Sequence, residues 1–442
     1  MNYRIQEIIV EGLFGMFDHH IPLNQKERIT IVYGVNGIGK TMIMRMVDHL
    51  FKGEFGQLRL LPFKLLSIQL SEGCFINVEK VEQKLIVHYK SNKGENKLEL
   101  GTPQISDKKR AQIFGLLTDR FSNWRVIGTN IYDRENDKTY TLEQFLYYYP
   151  HLLPPKMSIN IEDDSLEKLI LAIDIYFITT QRLSLAKTHL TDALLSGEKK
   201  FMNDIETDAV DYFSWKISRL IQEKDKEYGQ KSKELESSLG ERLLKKQIKT
   251  DYTIEALHEE IQHLDKKRAE LKRVGLLREN GKLNFNRGAD EISRGIMSAN
   301  IEDMKIKLKV FDNDDVYKKL NLFLEIFNKR LSFKQISISK DGFVFTNNNG
   351  EKIESKDLSL GEQHEVILLY QLLFEVPENA LVMIDEPEIS HHIMWQKSFV
   401  EDMLEIIKLR NFDVYVNTHS PSIVNGNWDM TISLREEELV EN

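Results

Sequence analysis

The chain has 442 residues, of which 41% are hydrophobic and 29% charged, and its formal net charge is −9. This length allows about two or three domains with a large core, and the low proline content argues against long disorder. The acidic balance does not signal a broad nucleic-acid surface, so DNA binding would have to use a local basic face. The single cysteine, Cys74, excludes an internal disulfide and fits a reducing cytoplasm, and no apolar run is long enough to predict a membrane span.

Three strands are predicted at the N-terminus, over 3–10, 17–23 and 28–33, because Ile, Val and aromatic residues recur there between glycine-containing turns. The third strand leads directly into Gly34–Thr41, which fits the phosphate-binding pattern G-x-x-x-x-G-K-[ST] without a mismatch. The segment 42–50 that follows is apolar at helical spacing. Strand, glycine loop and helix start together predict an anion site.

The chemistry of this loop predicts a nucleotide site. Its glycines let backbone N–H groups turn inward, Lys40 would reach the β- and γ-phosphates and assist catalysis, and the Thr41 hydroxyl would bind Mg²⁺. The alternative is a glycine turn that happens to carry Lys-Thr. The candidate nucleotide-binding residues of the loop are Gly34, Asn36, Gly37, Ile38, Gly39, Lys40, Thr41 and Met42.

Further along, three short β segments over 64–70, 74–81 and 84–89 predict an antiparallel meander, and the polar segment 91–101 predicts a loop. A buried strand is predicted from Asp174 and ends in a polar turn that contains Gln181. Strand ends of this kind carry ligand contacts in α/β sheets, which makes Gln181 a candidate. A loop glutamine without a role is the alternative.

The composition changes after about residue 184. From there to 272 proline is absent, and leucine and isoleucine recur mostly at three- and four-residue steps, as in 235–243 and 254–271. This narrow apolar stripe predicts long helices, arranged as a coiled-coil-like antiparallel hairpin with a reversal near Thr250–Thr253. A helical lobe packed on the core is the alternative.

A second group of site residues lies near the C-terminus. Ser359 precedes an apolar helix and Glu362 follows three residues later, which predicts a capping box. In one interpretation these residues only cap the helix. In the other, Ser359, Gly361 and Glu362 belong to a helix start that offers N–H groups and a hydroxyl to a phosphate.

Two later strands end in residues with catalytic chemistry. The apolar run 380–384 delivers two adjacent carboxylates: Asp385 would lie near Mg²⁺ and Glu386 would act as the general base on the attacking water. The segment 412–418 ends at His419, which is placed to meet a γ-phosphate. The alternatives are an acidic surface turn and a core histidine.

Together these motifs resemble those of ATP-binding-cassette ATPases of the RecF, SMC and OLD-like branch. The matching segments are the phosphate loop, the signature Ser359–Gln363, the strand Leu381–Glu386 and the switch histidine within Thr418–Ser420, with Gln181 as the weaker match to the Q-loop glutamine. The resemblance implies an α/β P-loop ATPase head, a mixed sheet with an antiparallel β meander, interrupted by a helical insertion. The head would comprise 1–183 and 333–442, and the insertion 184–332.

The resemblance also implies a function. It predicts an ATPase in which Lys40, Thr41, Asp385 and Gln181 hold ATP and Mg²⁺, with Thr41, Asp385 and Gln181 as the metal ligands. It also predicts a homo-oligomer of even order, in which Ser359 and Gly361 of one head close over ATP held by Lys40 of another. Two positions depart from the common pattern: Leu360 replaces a small residue of the signature, and Glu388–His392 resembles OLD-type and defence ATPases, so neither His391 nor His392 is assigned to a metal.

Within this branch the chain resembles stand-alone ATPase subunits of bacterial anti-phage systems, PARIS first and then Septu. Such a subunit would act as a sensor that controls a separate effector nuclease, of the Toprim type in PARIS, and would respond to a phage-encoded trigger protein. A RecF- or SMC-like ATPase that serves as a DNA-repair enzyme or DNA clamp is the alternative. A nucleotide-binding scaffold that hydrolyses little ATP is a third hypothesis, and the complete Asp385–Glu386 pair argues against it.

Overall fold

The computed structural model describes the chain in two compact units. The first consists of Met1–Glu206 and Glu375–Asn442, and the second of Thr207–Phe374. The described residues are 3–82, 84–100, 107–121, 123–134, 136–142, 144–145, 149, 152, 163–179, 209–244, 253–277, 291–312, 315–389 and 392–434.

The predicted α/β class is confirmed by the elements of the described chain. The strands are β1 (Ile5–Leu13), β2 (Phe17–Pro22), β3 (Ile29–Tyr33), β4 (Leu65–Leu70), β5 (Phe75–Val81), β6 (Lys84–Ser91), β7 (Gly94–Leu100), β8 (Trp124–Ile127), β9 (Asn130–Asp133), β10 (Lys138–Thr141), β11 (Ile175–Ile178), β12 (Lys334–Ser339), β13 (Gly342–Asn347), β14 (Lys352–Ile353), β15 (Leu381–Asp385), β16 (Asp413–Thr418) and β17 (Thr431–Ser433). The helices are α1 (Lys40–Phe51), α2 (Phe55–Leu60), α3 (Asp107–Arg120), α4 (Asp164–Ile170), α5 (Ala209–Leu244), α6 (Ile254–Arg273), α7 (Glu291–Leu308), α8 (Val316–Asn328), α9 (Leu360–Tyr370), α10 (Ile393–Arg410) and α11 (Pro421–Val424).

A five-stranded parallel sheet forms the centre of the first unit. Its strand order is β11-β15-β16-β3-β17, and every neighbouring pair is parallel. In this register Asp385 pairs with Asn417, and Thr418 pairs with Tyr33. Because the carboxyl ends of parallel strands meet at the same edge, the residues that follow β3, β15 and β16 come together there.

The second sheet of this unit is antiparallel, in the order β2-β1-β4-β5-β6-β7. The predicted meander of β4, β5 and β6 is confirmed, but the loop predicted over 91–101 is wrong, because 94–100 forms β7. Its polar composition suits an exposed strand at the edge of a sheet, where charged side chains discourage further pairing. Lys84 and His88 on β6 pair there with Glu99 and Glu95 on β7.

Residues of α3 and of the short sheet β10-β9-β8 form a separate small core within the first unit. Trp124 is its centre and contacts the rings of Tyr140, Phe145 and Tyr149. The strands are four residues long, too short to show a periodic pattern in the sequence, and they were not predicted.

The second unit contains the long helices and a three-stranded sheet, β12-β13-β14. Helix α7 packs against both α5 and α6, and Arg242 on α5 donates two hydrogen bonds to the carboxylate of Asp303 on α7. Helix α5 also packs on β13, where the Ser214 hydroxyl accepts a hydrogen bond from the Phe343 N–H. The helical nature of the insertion is therefore confirmed, whereas its arrangement as a coiled-coil-like hairpin stays a prediction.

Thr253 begins α6 as predicted, since its hydroxyl accepts a hydrogen bond from the Ala256 N–H. The other residues of the predicted reversal, 250–252, lie outside the described residues. Among the described helices, none is both long enough and apolar enough to cross a membrane.

Candidate functional site

The phosphate loop connects β3 to α1 and its backbone requires glycine. Gly37 and Gly39 have φ angles of 88° and 99°, in the left-handed region that residues with side chains rarely adopt. A Cβ atom at Gly39 would also lie 2.3 Å from Leu13 Cδ2. The loop therefore turns sharply before the helix starts, which leaves the first N–H groups of α1 without intrahelical partners and available to an anion.

The remaining residues of the phosphate loop differ in how far they are exposed to solvent. Ile38 is buried and anchors the loop, while Asn36 is exposed and Met42 is half-buried on the first turn of α1. Gly34 leaves β3 beside Leu434, whose backbone oxygen would lie 2.8 Å from a Cβ atom at that position.

Lys40 is the buried cation of the site, with 6% of its surface exposed. Its ammonium donates hydrogen bonds to the backbone oxygens of Gly34 (2.8 Å) and Val35 (3.1 Å), and it lies 3.4 Å from His419 Nδ1. Burial lowers the pKa of Lys40, and the nearby carboxylates of Glu386, Asp385 and Glu388 oppose this change. The buried Lys40 ammonium can pair with phosphate oxygens. The carboxylates around it favour a phosphate ligand that binds together with a metal cation.

Thr41 and Asp385 meet at the start of α1. The Thr41 hydroxyl lies 3.0 Å from each oxygen of the Asp385 carboxylate and donates to it. Asp385 ends β15 and is 5% exposed. The structure thus brings together the two residues predicted to share a Mg²⁺ ion, although they are separated by 344 positions in the sequence.

Glu386 and His419 lie beside this pair. His419 Nε2 is 3.5 Å from Glu386 Oε1, and the His419 N–H donates to Glu388 Oε1 at 2.7 Å. Glu386 has a φ angle of 47°, which is unusual for a residue with a side chain. The three residues assigned to catalysis from sequence, Lys40, Glu386 and His419, therefore lie in one cluster.

The predicted signature residues begin α9 in the second unit. Ser359 is the N-cap and forms a complete capping box: its hydroxyl accepts from the Glu362 N–H, and the Glu362 carboxylate accepts from the Ser359 N–H. Lys334 pairs with Glu362 at 2.8 Å. Although burial opposes ionisation, these partners hold the pKa of Glu362 below its usual value. Gly361 lies in the first turn of α9 and is half-buried.

Gln181, His391 and the neighbouring Ser390 lie outside the described residues. His392 is the N-cap of α10 and its Nδ1 accepts the Met394 N–H, so it has a structural role. Among the described residues no group of three or more His, Cys, Asp or Glu side chains could hold a metal ion by itself.

Sequence reasoning missed three residues that support the cluster. His19 on β2 lies 2.8 Å through Nε2 from the Ile38 oxygen of the phosphate loop. Asn417 on β16 donates through Nδ2 to Asp385 Oδ1 at 3.3 Å. Glu388 holds the His419 backbone. Only Glu388 carried a signal, as part of the Glu-Pro-Glu run; the contacts of His19 and Asn417 depend on the pairing of strands.

The cluster fits a nucleotide with Mg²⁺. Mg²⁺ prefers oxygen ligands and usually takes one or two from protein and the rest from phosphate and water, which matches Thr41 and Asp385. The buried Oδ1 atom of Asn417 has no hydrogen-bond partner in the described structure and adds one more acceptor beside Asp385. The loop amides and Lys40 supply the donors that phosphate oxygens need.

Comparison with known structures finds SMC head domains. One is the Smc head domain with an extended coiled coil bound to the C-terminal domain of ScpA from Pyrococcus furiosus (13% identity, 98% of this chain and 94% of that chain, TM-score 0.36). Another is the SmcHead bound to the C-winged helix domain of ScpA (11% identity, 98% and 95%, TM-score 0.37). A third is the SMC head domain from Thermotoga maritima (11% identity, 95% and 91%, TM-score 0.31).

No curated protein matches the chain. A family model described as an AAA ATPase domain matches residues 4–424, from before β1 to the end of α11. The match spans nearly the whole chain and includes the phosphate loop, the signature helix, the Asp385–Glu386 strand and His419. The chain therefore belongs to the AAA ATPase domain family.

Proposed function

We propose that this chain is a Mg²⁺-dependent ATPase whose site is completed by a second copy of the chain. One observation carries the proposal: Lys40, Thr41, Asp385, Glu386 and His419 converge at a single edge of the parallel sheet, with direct contacts among them. This set supplies a phosphate-binding cation, oxygen ligands for Mg²⁺ and a carboxylate that can accept a proton.

Each residue has a distinct role in this proposal. Lys40 exchanges its bonds to the Gly34 and Val35 oxygens for the β- and γ-phosphates, and the loop amides hold the remaining phosphate oxygens. Bound Mg²⁺, held by Thr41 and Asp385, would neutralise phosphate charge. Glu386 orients the attacking water and accepts its proton, while His419 lies between Glu386 and Lys40, where it can meet the γ-phosphate.

The second copy would contribute the start of its α9. The Ser359 hydroxyl accepts one hydrogen bond in the capping box, which leaves its own proton free to be donated to a phosphate oxygen. The Glu362 carboxylate is already engaged by Lys334 and by the Ser359 N–H. We therefore assign Glu362 to holding the helix start in place, and Ser359 and the Gly361 backbone to the ligand.

The test is Glu386→Gln, which keeps the shape of the side chain but removes its ability to accept a proton. The variant should bind ATP with Mg²⁺ as the parental chain does and hydrolyse it at least about 100-fold more slowly. Glu401→Gln, an exposed position on α10, is the matched control and should leave turnover unchanged. Parental turnover in the Glu386→Gln variant would show that another group activates the water.

We further propose that the ATPase is the sensor of a bacterial anti-phage system and controls a separate effector nuclease, with a phage protein as the trigger. The support is the resemblance of the Glu388–His392 run to OLD-type and defence ATPases, in a chain whose signature and switch histidine resemble those of the RecF, SMC and OLD-like branch. Co-expression with the neighbouring reading frame tests it: a Toprim-type nuclease held inactive by the parental chain, and released when a phage infects, is the expected result. An ATP-stimulated, salt-sensitive affinity for DNA without such a partner would instead favour a DNA-clamp ATPase.

A further inference from the structure

A buried amide, Asn417, lies between the two acidic residues of the site. It is in the middle of the parallel sheet on β16, directly opposite Asp385 on β15, and none of its surface is exposed. Its neighbours Val416 and Tyr415 are also buried. An amide at such a position costs free energy unless its hydrogen bonds are made, and a valine would pack there without that cost. The position therefore calls for an explanation beyond packing.

Asn417 contacts both carboxylate residues at once. Its side-chain Nδ2 donates to Asp385 Oδ1 at 3.3 Å, and its backbone oxygen accepts the Glu386 N–H at 2.9 Å. The second bond holds Glu386 where its backbone has a φ angle of 47°, a conformation that must be imposed by its surroundings. The backbone bond to Glu386 is available to any residue at this position, whereas the bond to the Asp385 carboxylate requires the side-chain amide of Asn417.

The orientation of the amide follows from its surroundings. If the Asn417 amide were flipped, Oδ1 would face the Asp385 carboxylate and two acceptors would repel each other. In the observed orientation Oδ1 is buried and has no partner among the described residues, and the same is true of the hydroxyl of Tyr415, two positions earlier on the same face of β16. Burial raises the pKa of Tyr415, so this hydroxyl stays neutral beside Asp385. Both groups thus present neutral polar atoms beside Asp385.

We propose that Asn417 is a positioning residue whose side-chain amide aligns the Asp385 carboxylate for Mg²⁺. The inference rests on the proposed ATPase function and extends it to a residue outside the recognised motifs. It predicts that the gain in nucleotide affinity caused by Mg²⁺ depends on the Asn417 side chain, whereas binding of the phosphates by the loop does not.

The first test is Asn417→Leu, which keeps the volume and removes the donor. Binding of a fluorescent ATP analogue is measured with Mg²⁺ and with EDTA. The parental chain should bind the analogue more tightly with Mg²⁺ than with EDTA. In the variant this gain in affinity should be about tenfold smaller, while the affinity in EDTA is unchanged. A melting curve confirms that the variant is folded. Equal Mg²⁺ gains in the two chains would overturn the role of Asn417.

The second test, Asn417→Thr, separates the hydrogen-bond donor from packing. The threonine side chain is shorter but keeps an O–H group that can donate to Asp385, so this variant should retain part of the Mg²⁺ gain that Asn417→Leu loses. A gain in Asn417→Thr as small as that in Asn417→Leu would show that packing around β16, and not the donor, is responsible.

Controls keep the two proposals apart. Asn349→Leu, at an exposed position on the second unit, makes the same replacement and should keep the parental Mg²⁺ gain. A parental chain that does not bind ATP at all would overturn the proposed function and with it this inference. Parental binding of ATP together with a full Mg²⁺ gain in Asn417→Leu would overturn the inference alone.

Discussion

At the scale of single residues, His19 shows how a side chain outside every motif supports the phosphate loop. It is 4% exposed, stacks on Phe17 with ring centroids 5.9 Å apart, and lies 2.8 Å from the Ile38 oxygen. Burial lowers the pKa of His19, against the opposing effects of the Ile38 backbone and of Asp18. The neutral ring therefore donates to the loop at neutral pH.

This shift predicts how stability depends on pH. The unfolded chain protonates His19 near its ordinary pKa of 6.5, whereas the folded chain resists protonation until a lower pH. Stability linked to His19 is thus fully present above about pH 6.5 and falls as pH decreases through that window, because the unfolded state binds more protons there. His19→Gln keeps a donor for Ile38 without titrating. When the pH is lowered from 7.5 to 5.5, both melting temperatures should fall, and the fall should be about 2 °C smaller for His19→Gln than for the parental chain.

His263→Gln, at an exposed position on α6, is the control, and its melting temperature should fall with pH as that of the parental chain does. An identical pH dependence for His19→Gln and the parental chain would show that His19 is not the group responsible.

The role of a single residue could be predicted from the sequence where a local motif specifies it. Lys40, Thr41 and the Asp385–Glu386 pair are specified by local motifs at strand ends, and the structure brings them together. His19 and Asn417 act through partners in other strands, and no local pattern distinguishes a buried polar residue that contacts the site from one that does not. The strand register that places Asn417 opposite Asp385 is a property of the folded sheet.

At the scale of elements, the start of α9 combines a structural role with a proposed ligand role. The capping box of Ser359 and Glu362 satisfies backbone groups at the helix start, and Lys334 neutralises the Glu362 charge. Leu360 follows Ser359 and is 62% exposed, so the helix start presents an apolar residue next to its free N–H groups. Replacements at Ser359 can separate the two roles because aspartate is as good an N-cap as serine.

We predict opposite effects for two replacements of Ser359. Ser359→Ala should destabilise the fold by about 1 kcal/mol through loss of the cap. Ser359→Asp should keep the stability, yet reduce ATP turnover by about 100-fold because a carboxylate would face the phosphates held by the neighbouring copy. Thermal melting and steady-state hydrolysis measure the two effects. An Asp variant with parental turnover would leave Ser359 as a helix cap only.

Elements were predictable where their pattern is long or flanked by clear turns. The strands β3, β15 and β16 and the helices α1 and α9 have continuous apolar runs and were predicted. The edge strand β7 was predicted as a loop because its residues are polar, and pairing with β6 decides its structure. The strands β8–β10 are joined by antiparallel pairing and by the contact of Trp124 with Tyr140, which no local pattern reveals.

At the scale of the whole molecule, the two groups of site residues belong to different compact units. Lys40, Asp385, Glu386 and His419 are in the first unit, and Ser359 is in the second, together with the long helices. The insertion was predicted from its composition, but the limits 183/184 and 332/333 stay predictions. If Ser359 contributes to the ATP site as proposed, it acts either on its own copy or on a second copy, and this choice determines whether ATP binding assembles the chains.

Mixing two inactive variants distinguishes these arrangements. Lys40→Ala removes the phosphate-binding cation and keeps the signature, whereas Ser359→Asp keeps the phosphate loop and blocks the signature. If sites form between two copies, half of the randomly mixed dimers pair one variant with the other and contain one intact site of two, so the mixture should recover about a quarter of the parental turnover. Each variant alone should stay inactive, and the Glu386→Gln chain with ATP should have the mass of an even-order assembly. A mixture as inactive as its components would place the whole site within one chain.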